Sequence, residues 1–297
     1  MSGLIERVEF ALRNPSGSLW LPEFTIEMVE AGWRDLYHKA SLSPDAYGTA
    51  RVMARDAGAP RNISSRLTMI SGADGPEKVL LVETLDAEFV HTYNEADVRF
   101  YTADEIDATN VLAQLGEAIT VLRTIPALFT TVAALVRCIH LLDSGDDDYD
   151  VSFSEPQIPF SIFVSVPRES SAISVLRVAE AIVHEAMHLQ LTLIERIVPL
   201  VRAKSQRHYS PWREEFRNAQ AVLHGLYVFC VIDEFFRALP AFPLREAHAA
   251  SYLKRRRSGI HEQVGRIRSF QDSKDLTEIG SEFIRRMITG LEQQEGR

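Results

Sequence analysis

The stretch "SSAISVLRVAEAIVHEAMHLQLTLIERIV", residues 170–198, decides the fold of this chain. Apolar residues occur on more than one side of almost every turn, so the stretch predicts a long central helix from about Ser171 to Pro199. His184, Glu185 and His188 stand in the middle of that helix. Because burying three ionisable side chains is costly unless they are partnered, the stretch predicts more than a packing role.

The order of these residues, His-Glu-Ala-Met-His, is that of a metal site on a helix. Residues four apart lie on one helical face, so one ion can contact both His184 and His188. Glu185 lies about 100° round the helix, where it flanks the ion. In zinc peptidases with this spacing the glutamate activates a metal-bound water. The spacing therefore predicts metal binding and leaves open whether the chemistry is hydrolysis.

A third ligand has to come from another segment. His224 interrupts an apolar helix predicted from about Arg217 to Leu239. Gly225 follows it, and a glycine inside a helix costs about 1 kcal/mol, which indicates the close approach of another backbone. His224 is the preferred third ligand, and the spacing leaves five carboxylates as alternatives: Glu195, Glu214, Glu215, Asp233 and Glu234.

The segment "SPWR", residues 210–213, predicts a rigid, bulky turn that presents Arg213. A guanidinium is a planar fork that suits a carboxylate. An oxygenase that binds 2-oxoglutarate needs such a cation, whereas peptide hydrolysis has no obvious need for one. The alternative is a surface ion pair of Arg213 with Glu214 or Glu215.

Five segments between about residues 145 and 240 resemble one family in their order and spacing. They are "DDDYDVSFSEPQIPFSIFVSVP", "HEAMH", "YSPWR", "LHGLYVF" and "EFFR". Together they resemble the HExxH-type peptide-modifying proteins of ribosomal peptide natural product pathways, members of which are 2-oxoglutarate-dependent peptide β-hydroxylases. Residues 1–140 and 240–297 add little to the resemblance.

The resemblance implies Fe(II) held by His184, His188 and His224, with 2-oxoglutarate on the iron and Arg213 on its distant carboxylate. It implies a precursor peptide as substrate, with or without recognition of a leader segment. Glu185 would then orient a ligand or a metal-bound water. Relatives continue after "PWR" with an Asp-Pro-Arg-Pro-like stretch, whereas this chain has "EEFRNAQ". Arg217 stands where the later arginine would be and is a second candidate for binding the cosubstrate.

Composition narrows the class of protein. The 297 residues are 46% hydrophobic and 25% charged, with a net charge of −9, which is typical of a globular protein and argues against a nucleic-acid partner. The N-terminus lacks the pattern of a signal peptide. The apolar window 121–142 is interrupted by polar residues and predicts a buried helix, not a membrane span. Cys138 and Cys230, in apolar stretches expected to be helical, predict buried thiols and a cytoplasmic protein.

The expected architecture is a mainly helical α+β protein. A buried helix pair, 171–199 and 217–239, would carry the metal site, with a small β element at about 151–166 along its rim. A mainly helical region 1–142 would pack as one compact unit with the metal-site region 143–297. The β-prone run 157–167 is interpreted either as an exposed edge that guides a peptide or as a plain core strand. The basic run "KRRR", residues 254–257, predicts a solvated helix face.

Three functions follow from these patterns. The preferred one is an Fe(II)/2-oxoglutarate-dependent peptide hydroxylase. The second is a zinc metallopeptidase in which Glu185 is the general base. The third is a non-catalytic protein that recognises a leader peptide through the strand at 157–167. The sequence does not determine the target peptide or the oligomeric state.

Overall fold

A computed structural model describes residues 2–42, 67–70, 80–84, 90, 98–136, 138–143, 151–154, 160–202, 207–240 and 247–295. The protein is mainly helical with a small mixed sheet, as the sequence predicts. The described helices are α1 (Ser2–Arg13), α2 (Pro22–Leu42), α3 (Ala103–Ala108), α4 (Val111–Arg123), α5 (Pro126–Leu135), α6 (Ala172–Ile197), α7 (Ala219–Ala238), α8 (Ala247–Gly265) and α9 (Glu278–Glu295), with a 3-10 turn at Arg268–Asp272.

The described strands form one larger sheet and one hairpin. The strands are β1 (Leu67–Ile70), β2 (Leu80–Glu83), β3 (Arg99–Phe100), β4 (Cys138–Asp143), β5 (Ser152–Ser154), β6 (Ser161–Ser165), β7 (Arg207–Ser210) and β8 (Glu215–Asn218). The larger sheet has the order β1-β2-β4-β6-β5, with β3 also paired to β4. The β2–β4 and β4–β6 pairs are parallel, and β5 runs antiparallel to β6. Strands β7 and β8 form the separate hairpin.

The two predicted central helices are present with bounds close to those expected. Helix α6 begins after Ser171, whose hydroxyl accepts a hydrogen bond from the Ser174 backbone in a capping box. Helix α7 begins after Asn218, whose side chain accepts a hydrogen bond from the Ala221 backbone. Arg217, where the helix was expected to begin, belongs to strand β8 instead. The helix begins at Ala219 because Asn218 is its N-terminal cap.

Helix α6 lies in the middle of the fold. It packs against α2, α4, α5, α7 and α8, and it also contacts strands β5 and β6. Its buried apolar residues recur along its whole length, as the all-round hydrophobic pattern predicts. The polar residues near its centre are therefore held in a rigid, apolar surrounding.

The fold corrects two expectations, one about a helix and one about an exposed strand edge. The window 121–142 is not a single helix, because Pro126 begins α5 and the chain then enters β4, so Cys138 is a buried strand residue. The run 157–167 does not offer a free edge, because its ordered part, β6, pairs with β4 on one side and β5 on the other. Within the described strands, β5 is the outer neighbour. Residues 157–159 of that run lie outside the described residues.

The basic run 254–257 is only half solvated. Lys254 and Arg255 are exposed, but Arg256 pairs with Glu180 and Arg257 pairs with the fully buried Asp233. The run therefore fastens α8 to α6 and α7.

Of the helices in the described ranges, α7 is long and apolar enough to cross a bilayer by length and composition, with 67% of its most apolar window buried inside the protein. The division of the chain at residue 142 stays a prediction.

Candidate metal centre

Three histidines from α6 and α7 lie side by side. His184 Nε2 is 3.1 Å from His188 Nε2, and His188 Nδ1 is 3.1 Å from His224 Nδ1. The first two rings meet edge to face at 4.8 Å between centroids, and the second two are stacked at 5.4 Å. The antiparallel helix pair thus brings together the three residues that sequence spacing selected as ligands.

The distances between these nitrogens can be compared with those of a metal site. Two nitrogens bound to one ion at about 2.1 Å lie about 3.0–3.4 Å apart, and the His184–His188 pair satisfies this. His188 turns one ring nitrogen toward each neighbour, so the three ligand atoms do not converge on one point. A common ion requires the His188 ring to rotate until one nitrogen faces both His184 and His224.

Glu195, one of the carboxylate alternatives, contacts His224 from behind. Its Oε2 is 2.9 Å from His224 Nε2 and accepts a hydrogen bond of 2.9 Å from Gln220 Nε2. This leaves His224 Nδ1 as the nitrogen on the side of the other histidines. A carboxylate behind a ligating histidine fixes its tautomer and orientation, so Glu195 fits a supporting position.

The other carboxylate alternatives are engaged away from the histidines. Asp233 lies with Arg237, Arg257 and His261 at 2.8–3.0 Å. Glu234 accepts a hydrogen bond from the Leu19 backbone. The remaining two lie exposed in the hairpin.

Both helix-α6 histidines are held in their neutral form. Burial lowers the pKa of His184 to about 4, and the charges of Arg256 and Arg213 act in the same direction. Burial also lowers the pKa of His188 well below its usual value, with His184 and His224 adding to the effect. Neutral imidazoles have free lone pairs, which is the form that binds a metal ion.

Glu185 is buried and faces β5. Its Oε1 accepts a hydrogen bond of 2.8 Å from the Ser152 hydroxyl and lies 3.9 Å from His184 Nε2. Burial raises the pKa of Glu185 to about 7, although hydrogen bonds from Ser152 and Ser154 favour the ionised form. The carboxyl group is thus beside the histidines and is oriented by β5, which lies within the small β element expected at about 151–166.

The turn between β7 and β8 presents the two candidate arginines. Arg213 is exposed, and its side chain makes no hydrogen bond or ion pair with any residue that the structure describes. The surface pair considered for it is not formed among those residues, since Glu215 lies 3.4 Å from Arg217 instead. Both arginines lower the pKa of His188 through their charge, which places them within electrostatic reach of the cluster.

Aromatic side chains pack between this turn and α7. A Cβ added to Gly225 would lie 2.7 Å from Cε3 of Trp212, so the glycine accommodates an indole and not, as expected, a backbone. Trp212 stacks on Phe229 at 5.2 Å, and Phe229 meets His184 edge to face at 5.6 Å. The Gly225 signal was visible in the sequence, but its partner was not.

A further arginine reaches the site from α8. The Arg256 guanidinium lies 5.1 Å from the Phe229 ring centroid and is 2.7 Å from Glu180, one turn before His184. Sequence reasoning missed this residue because its basic run is typical of a solvated surface. The cluster is therefore bordered by cations on two sides.

Neither protein-family models nor curated proteins match this chain. We therefore infer the function from the geometry of the site and from the resemblance of its motifs to those of the HExxH-type peptide-modifying proteins.

Proposed function

We propose that this protein is an Fe(II)/2-oxoglutarate-dependent hydroxylase that oxidises the β-carbon of a peptide side chain during maturation of a ribosomal peptide natural product. His184, His188 and His224 would hold the iron. The observation that carries the proposal is Arg213, a cation without a described partner whose charge acts on two of the three clustered histidines. An arginine so placed suits the distant carboxylate of a metal-bound keto acid.

The charge of the site supports an anionic cosubstrate. An imidazole that binds a metal ion contributes no negative charge, so three histidine ligands would leave the double positive charge of the ion uncompensated. Arg213, Arg217 and Arg256 add positive charge around the cluster. A dicarboxylate such as 2-oxoglutarate would neutralise both the ion and one arginine. When bound, iron would supply the coupling of dioxygen reduction to the decarboxylation of 2-oxoglutarate to succinate and to oxidation of the peptide.

The side chains of the protein would have distinct tasks in this reaction. Arg213 would orient 2-oxoglutarate with two parallel hydrogen bonds. Trp212 and Phe229 would exclude water on the α7 side. Glu195 would fix the His224 ring. Glu185 would orient a ligand or a metal-bound water from its buried position on α6, where Ser152 of β5 holds its carboxyl group.

A peptide substrate agrees with the position of β5. This strand is the outermost of the described strands on its side of the sheet, and Ser152 contacts Glu185 directly. An extended peptide can add to a sheet edge through main-chain hydrogen bonds. The precursor peptide would then pass beside the histidines. A cytoplasmic location belongs to the same proposal, since Cys138 and Cys230 are buried thiols.

The test is metal content together with succinate formation. The full chain is purified without oxygen, its iron and zinc are quantified, and Fe(II), 2-oxoglutarate and oxygen are added. We expect uncoupled succinate, and we expect Arg213→Ala to raise the 2-oxoglutarate concentration needed for half-maximal rate by about 10- to 100-fold, since a charged hydrogen bond contributes about 1.5–3 kcal/mol. Arg268→Ala is the control, because Arg268 is an exposed arginine paired with Glu292. Absence of succinate with iron bound would contradict the proposal.

A zinc metallopeptidase is the second candidate, favoured by one distance. The Glu185 carboxylate is 3.9 Å from His184 Nε2, close enough to contact a water on a shared ion. Glu185→Gln separates the two functions: a peptidase would lose its general base, whereas the hydroxylase would keep its succinate formation. Tightly held zinc, cleavage of a generic peptide mixture and loss of that cleavage in Glu185→Gln would establish the peptidase.

A further inference from the structure

A second group of metal-binding side chains lies in the sheet, on strands β2 and β4. The parallel register pairs Leu81 with Cys138, so the next level along the strands brings Glu83 beside His140. Cys138 and His140 are two residues apart on β4 and therefore point to the same face of the sheet. No local pattern indicates this grouping, because Glu83 is 55 residues from the cysteine.

This group lies on the face of the sheet opposite to α6. Ile139 lies between Cys138 and His140, so its side chain points to the other face of the sheet, where it packs in the main core. His140 instead stacks on Phe163 at 4.6 Å, and Phe163 belongs to a separate small apolar cluster. Ser152, whose hydroxyl contacts Glu185, is on the α6 face of β5 because its neighbour Phe153 stacks on Phe163. The two groups of ligands are therefore separated by the sheet.

The side-chain atoms of the group converge. One ligand atom from each of Glu83, Cys138 and His140 lies within 4.8 Å of the others. The cysteine Sγ is 3.9 Å from Glu83 Oε2, and His140 Nδ1 is 4.0 Å from the same oxygen. The same His140 nitrogen lies 3.1 Å from the Glu83 main-chain oxygen, a contact that a bound ion would replace. The three residues are at most 2% exposed. A substrate cannot reach a site so deeply buried, but a single ion can be enclosed there during folding.

We propose that Glu83, Cys138 and His140 bind a zinc ion. Tetrahedral zinc places sulfur, nitrogen and oxygen ligands about 3.3–3.6 Å apart, so the distances of Sγ and Nδ1 from Glu83 Oε2 need to shorten by about 0.3–0.7 Å. The distance between the sulfur and the imidazole nitrogen, which is within 4.8 Å, needs to shorten by up to about 1.2 Å. A water would take the fourth position. A thiolate and a carboxylate carry two negative charges and neutralise the ion, which suits the apolar surroundings of Phe163. Thiolate and imidazole together favour zinc over calcium or magnesium.

The expected role of this ion is structural. It would fasten β2 to β4, which are joined by only two described residue pairs. Strand β4 in turn pairs with β6, and β6 with β5, which holds Glu185. The zinc site is independent of the proposed hydroxylase and would persist if that proposal failed.

Cobalt distinguishes this site from the histidine cluster. The metal-free full-length protein is titrated with Co(II), and the near-ultraviolet absorption from thiolate-to-cobalt charge transfer is followed. We expect one equivalent of thiolate-bound cobalt, displaced by zinc. The histidine cluster contains no sulfur, so His184→Ala leaves this absorption unchanged.

The chain has one matched control, since it contains two cysteines and both are buried. Cys138→Ser removes the absorption, and Cys230→Ser, a change on α7, keeps it. Glu83→Gln, nearly the same shape as the native residue, weakens cobalt binding at least tenfold even if Cys138→Ser does not fold. No sulfur-to-cobalt absorption in the wild-type protein, or its loss only in Cys230→Ser, would overturn the proposal and leave a metal-free hydrogen-bonded cluster.

Discussion

The two ends of α7 carry buried polar groups of opposite character. Near its C-terminus, the fully buried Asp233 lies with Arg237, Arg257 and His261, all at 2.8–3.0 Å. Near its N-terminus, His224 faces His188 nitrogen to nitrogen, and Arg213, whose charge acts on His188, has no described partner. The first group is complete as it stands, whereas the second gains most from an added ion and an anion.

The comparison separates a network whose buried charge is compensated from one whose charges are not. A buried charge with several matched partners fixes the packing of the elements that supply them. A group of neutral, electron-pair donors bordered by cations has no internal compensation, and such imbalance is concentrated at functional sites. Four changes, taken from the largest expected effect to the smallest, would break or sharpen this distinction.

His188→Ala removes the central imidazole of the cluster. We expect iron affinity to fall by more than the roughly 100-fold that loss of a supporting group causes, and succinate formation to disappear, because His188 contacts both other histidines. Equilibrium iron binding and circular dichroism check the result. Unchanged iron stoichiometry in a folded variant would show that the ion is bound elsewhere.

Asp233→Ala breaks the complete network at the other end of the helix. Removing one partner of a buried ion pair costs about 3–5 kcal/mol, so we expect a loss of that size in the free energy of unfolding, with iron affinity retained in the folded fraction. Denaturant unfolding measures it. Glu262→Ala is the control, because its pair with Arg266 is exposed and contributes at most about 1 kcal/mol. Equal effects of the two changes would remove the contrast.

Glu195→Gln keeps a hydrogen-bonding group behind His224 but removes the charge. We expect iron affinity to fall by about 10- to 100-fold while the ligand set stays intact. Competition with a chelator measures the affinity. If Glu195→Gln abolished binding as completely as His188→Ala, Glu195 would be a direct ligand.

Gly225→Ala tests the contact between α7 and Trp212. The new methyl group would overlap the indole at 2.7 Å, so we expect a loss of about 1–3 kcal/mol in stability and weaker 2-oxoglutarate binding, because Trp212 adjoins Arg213. Gly259→Ala, in α8 with nothing near its added Cβ, should instead stabilise by about 0.5–1 kcal/mol. Similar stability changes in both variants would show that Trp212 yields without cost.

Several features of the fold and site could be predicted from local sequence. The bounds of α6 follow from Ser171 as cap and from its continuous apolar pattern, and both predicted ligands on it lie one turn apart as helical geometry requires. His224 was selected because a polar residue followed by glycine is expensive in an apolar helix, and it lies beside His188. The positions of these histidines can be predicted because they depend on neighbours within about one helical turn; their role as metal ligands stays a prediction.

Other predictions were wrong because they depend on contacts between segments that are far apart in the chain. The apolar run around Cys138 predicts a helix, but a continuous apolar run has no periodicity that distinguishes a helix from a strand. Pairing with β2 and β6 makes this segment a strand. The basic run predicts that Arg256 is exposed to solvent, because its partner Glu180 is distant in the chain.

The sequence by itself determined the central helix and the placing of His184 and His188 on one of its faces, since spacing along one helix is a local property. Only the tertiary structure decided that Glu195 supports His224, that β5 holds Glu185, and that Glu83 meets Cys138 and His140. Those contacts join segments far apart in the chain, and their formation depends on how the buried surfaces of the whole protein pack together.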